Sequence, residues 1–148
     1  AGRAKVKTGY VVGLAFNRAA THITLIRKNR PDWMAGQLNG SGGKIEFGET
    51  GPQAMEREFL EETGVIIPAA AWQLCALRED ELARVEIYRC FDDAIMQART
   101  MTDETVEVYA TDDDRLVREG IKGLPMLLAH ALNRNSNGIL KLETARPK

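Results

Sequence analysis

Between residues 43 and 65 the chain reads GKIEFGETGPQAMEREFLEETGV, and few folds can accommodate such a stretch. Glycines open it, a turn follows at Gly48 to Gly51, and carboxylates then recur at helical spacing. At 100° per residue, Glu58, Glu61 and Glu62 fall within an arc of about 100° on one helix face. Three like charges so placed repel one another unless a cation joins them. Thr50, with Gln53 three residues on, has the form of a capping box; Pro52 falls in the first turn, where a missing N–H costs little; Gly64 suits the left-handed position just past the end. Met55 and Phe59, an i, i+4 pair beside the acidic arc, supply an apolar edge to bury. The helix is therefore expected to anchor by one edge and to present its carboxylates to a cleft.

Taken alone, an acidic helix face is most often a solvated surface. Six glycines around this one, Gly40, Gly42, Gly43, Gly48, Gly51 and Gly64, argue for more, because a plain surface helix does not need them. Glutamates clustered without His or Cys point to a hard divalent cation, Mg²⁺ or Mn²⁺, rather than to zinc. Ions held this way commonly serve phosphoryl chemistry.

The chain has 148 residues, one domain's worth, with a core of ordinary size expected over residues 1–148. Its 20 basic and 21 acidic side chains nearly cancel, so no global charge draws it to a nucleic-acid polymer or a membrane. Cys75 and Cys90 lie in apolar surroundings without CxxC spacing and read as reduced core residues. No apolar run approaches transmembrane length and no signal-peptide core is visible, so a cytoplasmic location is the expectation.

In order along the chain, Ala1 to Lys7 reads as a short basic lead expected to fray. Tyr10 to Phe16 and His22 to Arg27 read as paired strands around a turn at Asn17 to Thr21. Residues 29–42 read as a long polar loop with Trp33, Met34 and Leu38 as apolar pegs, well placed to face a substrate. After the helix come a short strand at Val65 to Ile67 and a turn at Pro68 to Ala71. Strands at Trp72 to Leu77 and Val85 to Phe91 follow, joined by a mobile acidic link, Arg78 to Leu82. A strand at Val106 to Ala110, a turn or cap at Asp112 to Asp114, a helix from Leu124 to Asn133 and a last strand at Ile139 to Leu142 complete the reading. Alternating strands and helices without repeats give one α/β domain.

Written as G-x5-E-x7-R-E-U-x-E-E-x-G-U, with U apolar, the stretch supplies Gly43, Glu49, Arg57, Glu58, Phe59, Glu61, Glu62, Gly64 and Val65, and so resembles the Nudix box at every fixed position. The lead-in Gly36 to Glu46 is similar to that of MutT-type members. Asp103-Glu104 and Leu124 to Leu128 resemble further stretches of the same group. The resemblance implies an α-β-α sandwich with a mixed β-sheet between helices, and Mg²⁺-dependent (or Mn²⁺-dependent) hydrolysis of a nucleoside diphosphate linked to another group. By motif position it assigns Glu58, Glu61 and Glu62 to metal, with the Gly42 carbonyl, and Arg57 to orienting the glutamates through Glu49. Glu104 is the choice for an additional carboxylate, on metal or on the attacking water, ahead of Glu107 and Glu81. Lys44 and Arg27 are candidates for phosphate, Asn39 for a purine edge, and Trp33 or Tyr109 for stacking a base.

The purine-sanitising members carry an acidic pair before the last helix where this chain has Arg118 to Gly123. The expected activity is a nucleoside triphosphate pyrophosphohydrolase; the alternatives are a hydrolase of another diphosphate, such as ADP-ribose, a sugar nucleotide or a coenzyme, or a non-catalytic nucleotide-binding module. The expected partner is a small nucleotide, with a homodimer as an open assembly.

Overall fold

The computed structural model describes residues 7–143, so the basic lead lies outside the described residues except for Lys7. Strand β1 (Thr8–Phe16) shows why the sheet must be covered on both faces. Successive strand residues point to opposite sides. Val11 and Ala15 enter one core cluster, while Leu14 and Phe16 enter another, with Val12 packed beside them. The remaining strands and α-helices are β2 (His22–Arg27), β3 (Leu38–Asn39), β4 (Ser41–Lys44), α1 (Gly51–Thr63), β5 (Gln73–Glu79), β6 (Ala83–Phe91), β7 (Thr105–Ala110), α2 (Arg115–Glu119), α3 (Leu124–Leu132) and β8 (Leu140–Leu142).

The eight strands form a single mixed sheet in the order β3-β2-β1-β6-β5-β8, with β4 paired to β1 and β7 to β2. The β1–β6 and β5–β8 pairs are parallel and the rest antiparallel. Since β6 runs along all of β1, the other edge of β1 is shared. Tyr10 to Gly13 pair with β4, and Ala15 and Phe16 pair with β2. The sheet thus forks at Gly13, and Gly40 sits in the fork, where a Cβ would come within 2.4 Å of the Gly13 carbonyl oxygen. On one face α1 packs through Ala54, Met55 and Phe59, with Trp72 meeting Phe59 edge-on at 5.4 Å between ring centroids. On the other, Leu124, Leu127, Leu128 and Ala131 of α3 and Leu116 of α2 cover Leu14, Phe16, Ile23 and Leu25. The result is the expected α-β-α arrangement around a mixed sheet.

Three local expectations are corrected. Val65 to Ile67 is not a strand but an extended link whose Val65 and Ile67 side chains plug the α1 core. The Arg78 to Leu82 stretch is a tight hairpin: β5 continues to Glu79, and the Asp80 carboxylate accepts the Leu82 and Ala83 N–H groups at 2.8 and 2.9 Å. The expected loop at 29–42 contains a 3₁₀ turn (Asp32–Met34) and two strands. Glycine composition suggests loop, but here it permits close backbone approach: a Cβ on Gly42 would stand 1.9 Å from the Val11 oxygen. Helix α2 was not anticipated. Cys75 and Cys90 are free and buried; burial pushes the Cys75 thiol up to about 11 and raises that of Cys90 also, so neither supplies a thiolate. Among the described residues no helix is long and apolar enough to cross a membrane.

Candidate active site

Helix α1 begins and ends where its own side chains dictate. The Thr50 hydroxyl accepts the Gln53 N–H at 3.2 Å, the Gln53 amide oxygen accepts the Thr50 N–H at 2.9 Å, and Gly64 closes the helix at φ +74°. Burial of Met55 and Phe59 fixes its rotation, and the acidic arc is then turned toward β4. Ser41 of β4 donates to Glu62 at 2.9 Å. A Cβ on Gly43 would lie 2.5 Å from a Glu58 oxygen, so the glycine leaves room for that carboxylate.

Arg57 holds the arc in place. Its Nε and Nη2 make a bidentate pair with Glu49 at 2.7 and 2.9 Å, and Nη2 also reaches the Lys44 carbonyl at 3.0 Å. Nη1 donates to Glu58 at 2.8 Å and, more loosely, to Glu61 at 3.4 Å. The guanidinium holds the Glu49 carboxyl below the usual range. Burial pushes Glu58 up despite Arg57, and Glu61 adds to the rise. Glu62 is pushed up to about 7, chiefly by burial, with Glu58 and Glu104 adding to it and Ser41 and Lys28 opposing. Glu61, by contrast, is largely exposed.

Glu104 is buried beside this group, immediately before β7. One of its oxygens accepts the Lys28 ammonium at 3.0 Å and the other the Asn29 N–H at 2.6 Å. These bonds outweigh burial and keep its carboxyl below the ordinary value. Asn39 is buried in β3 opposite Ile26; its oxygen accepts the Gly40 N–H at 2.8 Å, and among the described residues its NH₂ meets only the Met34 sulfur, at 3.9 Å. Trp33 is exposed on the 3₁₀ turn, and Lys44 is exposed at the end of β4. Arg27 is not gathered with the glutamates: Glu107, Glu119, Tyr109 and the Gly36 carbonyl take up its guanidinium. Tyr109, the other stacking candidate, is buried and bonded to Glu107, with its ring under the Arg115 guanidinium at 4.7 Å. Ser41 and Lys28 were missed by sequence reasoning. No local signal marks a serine or lysine that meets a glutamate more than twenty residues away in the chain.

The donor set suits a hard cation. It is all oxygen, and two of its three helical carboxyls, Glu58 and Glu62, are raised by burial, with Glu61 adding to the rise at Glu58 and Glu58 and Glu104 adding to that at Glu62, a penalty that a cation would relieve. Among the described residues no three acidic, His or Cys side chains close a cage of their own. An ion here would complete its shell with water and substrate oxygens, as Mg²⁺ commonly does.

The family model described as NUDIX domain matches residues 7–119, from the start of β1 to the end of α2. The chain belongs to the Nudix family. As a Nudix hydrolase it acts on pyrophosphate bonds of nucleotide-linked compounds. Its fold is similar to that of a MutT described in work on Aliivibrio salmonicida and Vibrio cholerae, at 20% identity and a TM-score of 0.65, over 86% of this chain and 97% of that one. A MutT Nudix hydrolase from Burkholderia pseudomallei gives 20% identity and a TM-score of 0.66 over 85% and 98% of the two chains. A mutator MutT protein from Bacillus halodurans gives 16% and 0.65 over 90% and 86%. At these identities the likeness is one of fold. No curated protein sequence matches the chain.

Proposed function

We propose that this Nudix hydrolase is a nucleoside triphosphate pyrophosphohydrolase, dependent on Mg²⁺ with Mn²⁺ as the alternative, that releases a monophosphate and pyrophosphate from a purine nucleotide, normal or oxidised. The observation that carries this reading is the half-free amide of Asn39. It stands four residues before Gly43, roughly 13 Å along extended chain, so a base edge and an anhydride can be held by one continuous segment. An amide that keeps N–H donors uncommitted can read a purine edge.

Glu58, Glu61 and Glu62, with the Gly42 carbonyl and Glu104, are the residues that would hold the ion. When bound, the ion shields phosphate charge and makes a coordinated water a better nucleophile. Arg57 keeps Glu58 and Glu61 oriented, and depends on Glu49 and the Lys44 carbonyl for its own position. Glu61 takes the proton of the attacking water, since it is exposed and held by a single 3.4 Å contact, whereas both oxygens of Glu104 are engaged by Lys28 and Asn29. Lys44 lies near the phosphates and Trp33 stacks the base.

The test is product release from a panel of normal and oxidised nucleoside triphosphates, ADP-ribose and sugar nucleotides, each with and without Mg²⁺. Metal-dependent pyrophosphate from purine triphosphates, abolished by Glu61→Gln, is the expected result. Turnover of the diphosphates alone, or nucleotide binding without turnover, overturns it.

A further inference from the structure

We propose that Arg27 is a positioning residue: it clasps the loop at residues 29–36 and the end of α2 to the sheet, and thereby sets affinity for the base-bearing half of the substrate. The proposal rests on the reading above, in which Asn39 and this loop receive the base.

The guanidinium of Arg27 joins three elements that are distant in sequence. Nε and Nη2 clamp Glu107 of β7 at 2.7 and 2.8 Å, and Nη2 also donates to the Tyr109 hydroxyl at 3.0 Å. Nη2 pairs with Glu119, the last residue of α2, at 2.9 Å. Nη1 donates to the Gly36 carbonyl at 2.9 Å. A guanidinium has five N–H donors, so these contacts leave one Nη1 hydrogen for a phosphate. The residue is thus poorly placed to act as a phosphate ligand.

The clasped points surround Asn39. Gly36 closes the hairpin that carries Trp33 and Met34; its N–H donates to the Lys28 carbonyl at 2.7 Å, and its φ of +84° is one that residues with a Cβ rarely adopt. Met34 in that hairpin faces the Asn39 amide. Leu38, next to Asn39, pairs with Arg27 on one side. On its other side it bridges Gly120, and its carbonyl accepts the Ile121 N–H at 2.9 Å. Removing the guanidinium leaves Glu107 and Glu119 without their shared cation and takes from Gly36 its side-chain tether. The loop and the end of α2 then lose a common anchor, and with it the walls around Asn39, while the bonds of Arg57 to Glu49, Glu58 and Glu61 and of Ser41 to Glu62 involve neither Arg27 nor the loop.

The test compares Arg27→Met and Arg27→Lys with wild type by steady-state kinetics, by binding of a purine nucleoside monophosphate and of pyrophosphate, and by the ¹⁵N heteronuclear NOE of the Gly36 amide. For Arg27→Met the KM is expected to rise by about tenfold or more with a much smaller change in kcat. Monophosphate affinity should fall in step, pyrophosphate affinity should hold, and the Gly36 NOE should drop. Arg27→Lys should fall between, since an ammonium keeps the charge without the fork. Equal losses for monophosphate and pyrophosphate would make Arg27 a phosphate ligand and overturn the proposal, as would unchanged KM and Gly36 NOE. Should Arg27→Met fail to fold, Arg27→Lys carries the same comparison. Absence of triphosphate turnover in the wild type would sink the functional reading, and the Gly36 NOE would still decide whether Arg27 holds the loop.

Discussion

Replacing Glu62 with Gln should stabilise the metal-free protein, and more so as the pH rises. The buried Glu62 carboxyl accepts from Ser41 at 2.9 Å and is raised from 4.5 to about 7, first by burial and then by Glu58 and Glu104. Between those two values the folded protein binds more protons than the unfolded chain, so this group makes stability fall as pH rises through that window. At about 1.4 kcal/mol per pKa unit, the cost grows from about 1 kcal/mol at pH 5 to about 3 kcal/mol at pH 8. Glutamine keeps an acceptor for Ser41 and never ionises. Urea denaturation in EDTA at several pH values, wild type beside Glu62→Gln, should therefore show a stability gap that widens by about 2 kcal/mol from pH 5 to pH 8. Adding Mg²⁺ should narrow the gap, because a cation favours the charged carboxylate that only the wild type has. A gap that stays flat or shrinks with rising pH would show that the site does not hold Glu62 away from its ionised form.

Adjacent glycines of β4 should respond differently to alanine. At Gly43 the new methyl meets the movable Glu58 carboxylate, so Mn²⁺ affinity and turnover should drop while thermal stability holds; at Gly42 it meets the Val11 backbone, so the β1–β4 pairing and the melting temperature should suffer, and both are read by calorimetry and Mn²⁺ titration. Asn39→Ala should raise KM for purine triphosphates by about tenfold while barely affecting pyrimidine ones, the ratio expected when one hydrogen-bonded base edge is lost; equal effects on both would remove it from base reading.

Much of the site was legible because its logic is local. The capping box at Thr50 and Gln53, the left-handed Gly64 and the Met55–Phe59 edge all act within a few residues, and they set both the limits and the rotation of α1. Strand periodicity likewise marked β1, β2, β6 and β7, whose alternating or continuous apolar positions reflect burial on one face or two. What depended on close approach was misread. The glycines at 40, 42 and 43 suggested a loop, yet they form a strand and its fork because only glycine fits against the β1 backbone. Val65 and Ile67 have the composition of a strand but no neighbouring edge with which to pair.

The sequence by itself determined the acidic helix, its polarity and its family, since these rest on the spacing of neighbours and on intrinsic backbone preference. Only the tertiary structure decided what each charge meets. Arg27 and Glu107 lie 80 residues apart, and Lys28 and Glu104 lie 76 apart. Their partners are chosen by the β2–β7 register, which places Arg27 opposite Thr105. A side chain's composition says that it needs a counter-charge; which one it finds is set by sheet pairing across the whole fold, and that pairing gives Arg27 the carboxylates of Glu107 and Glu119 as its partners.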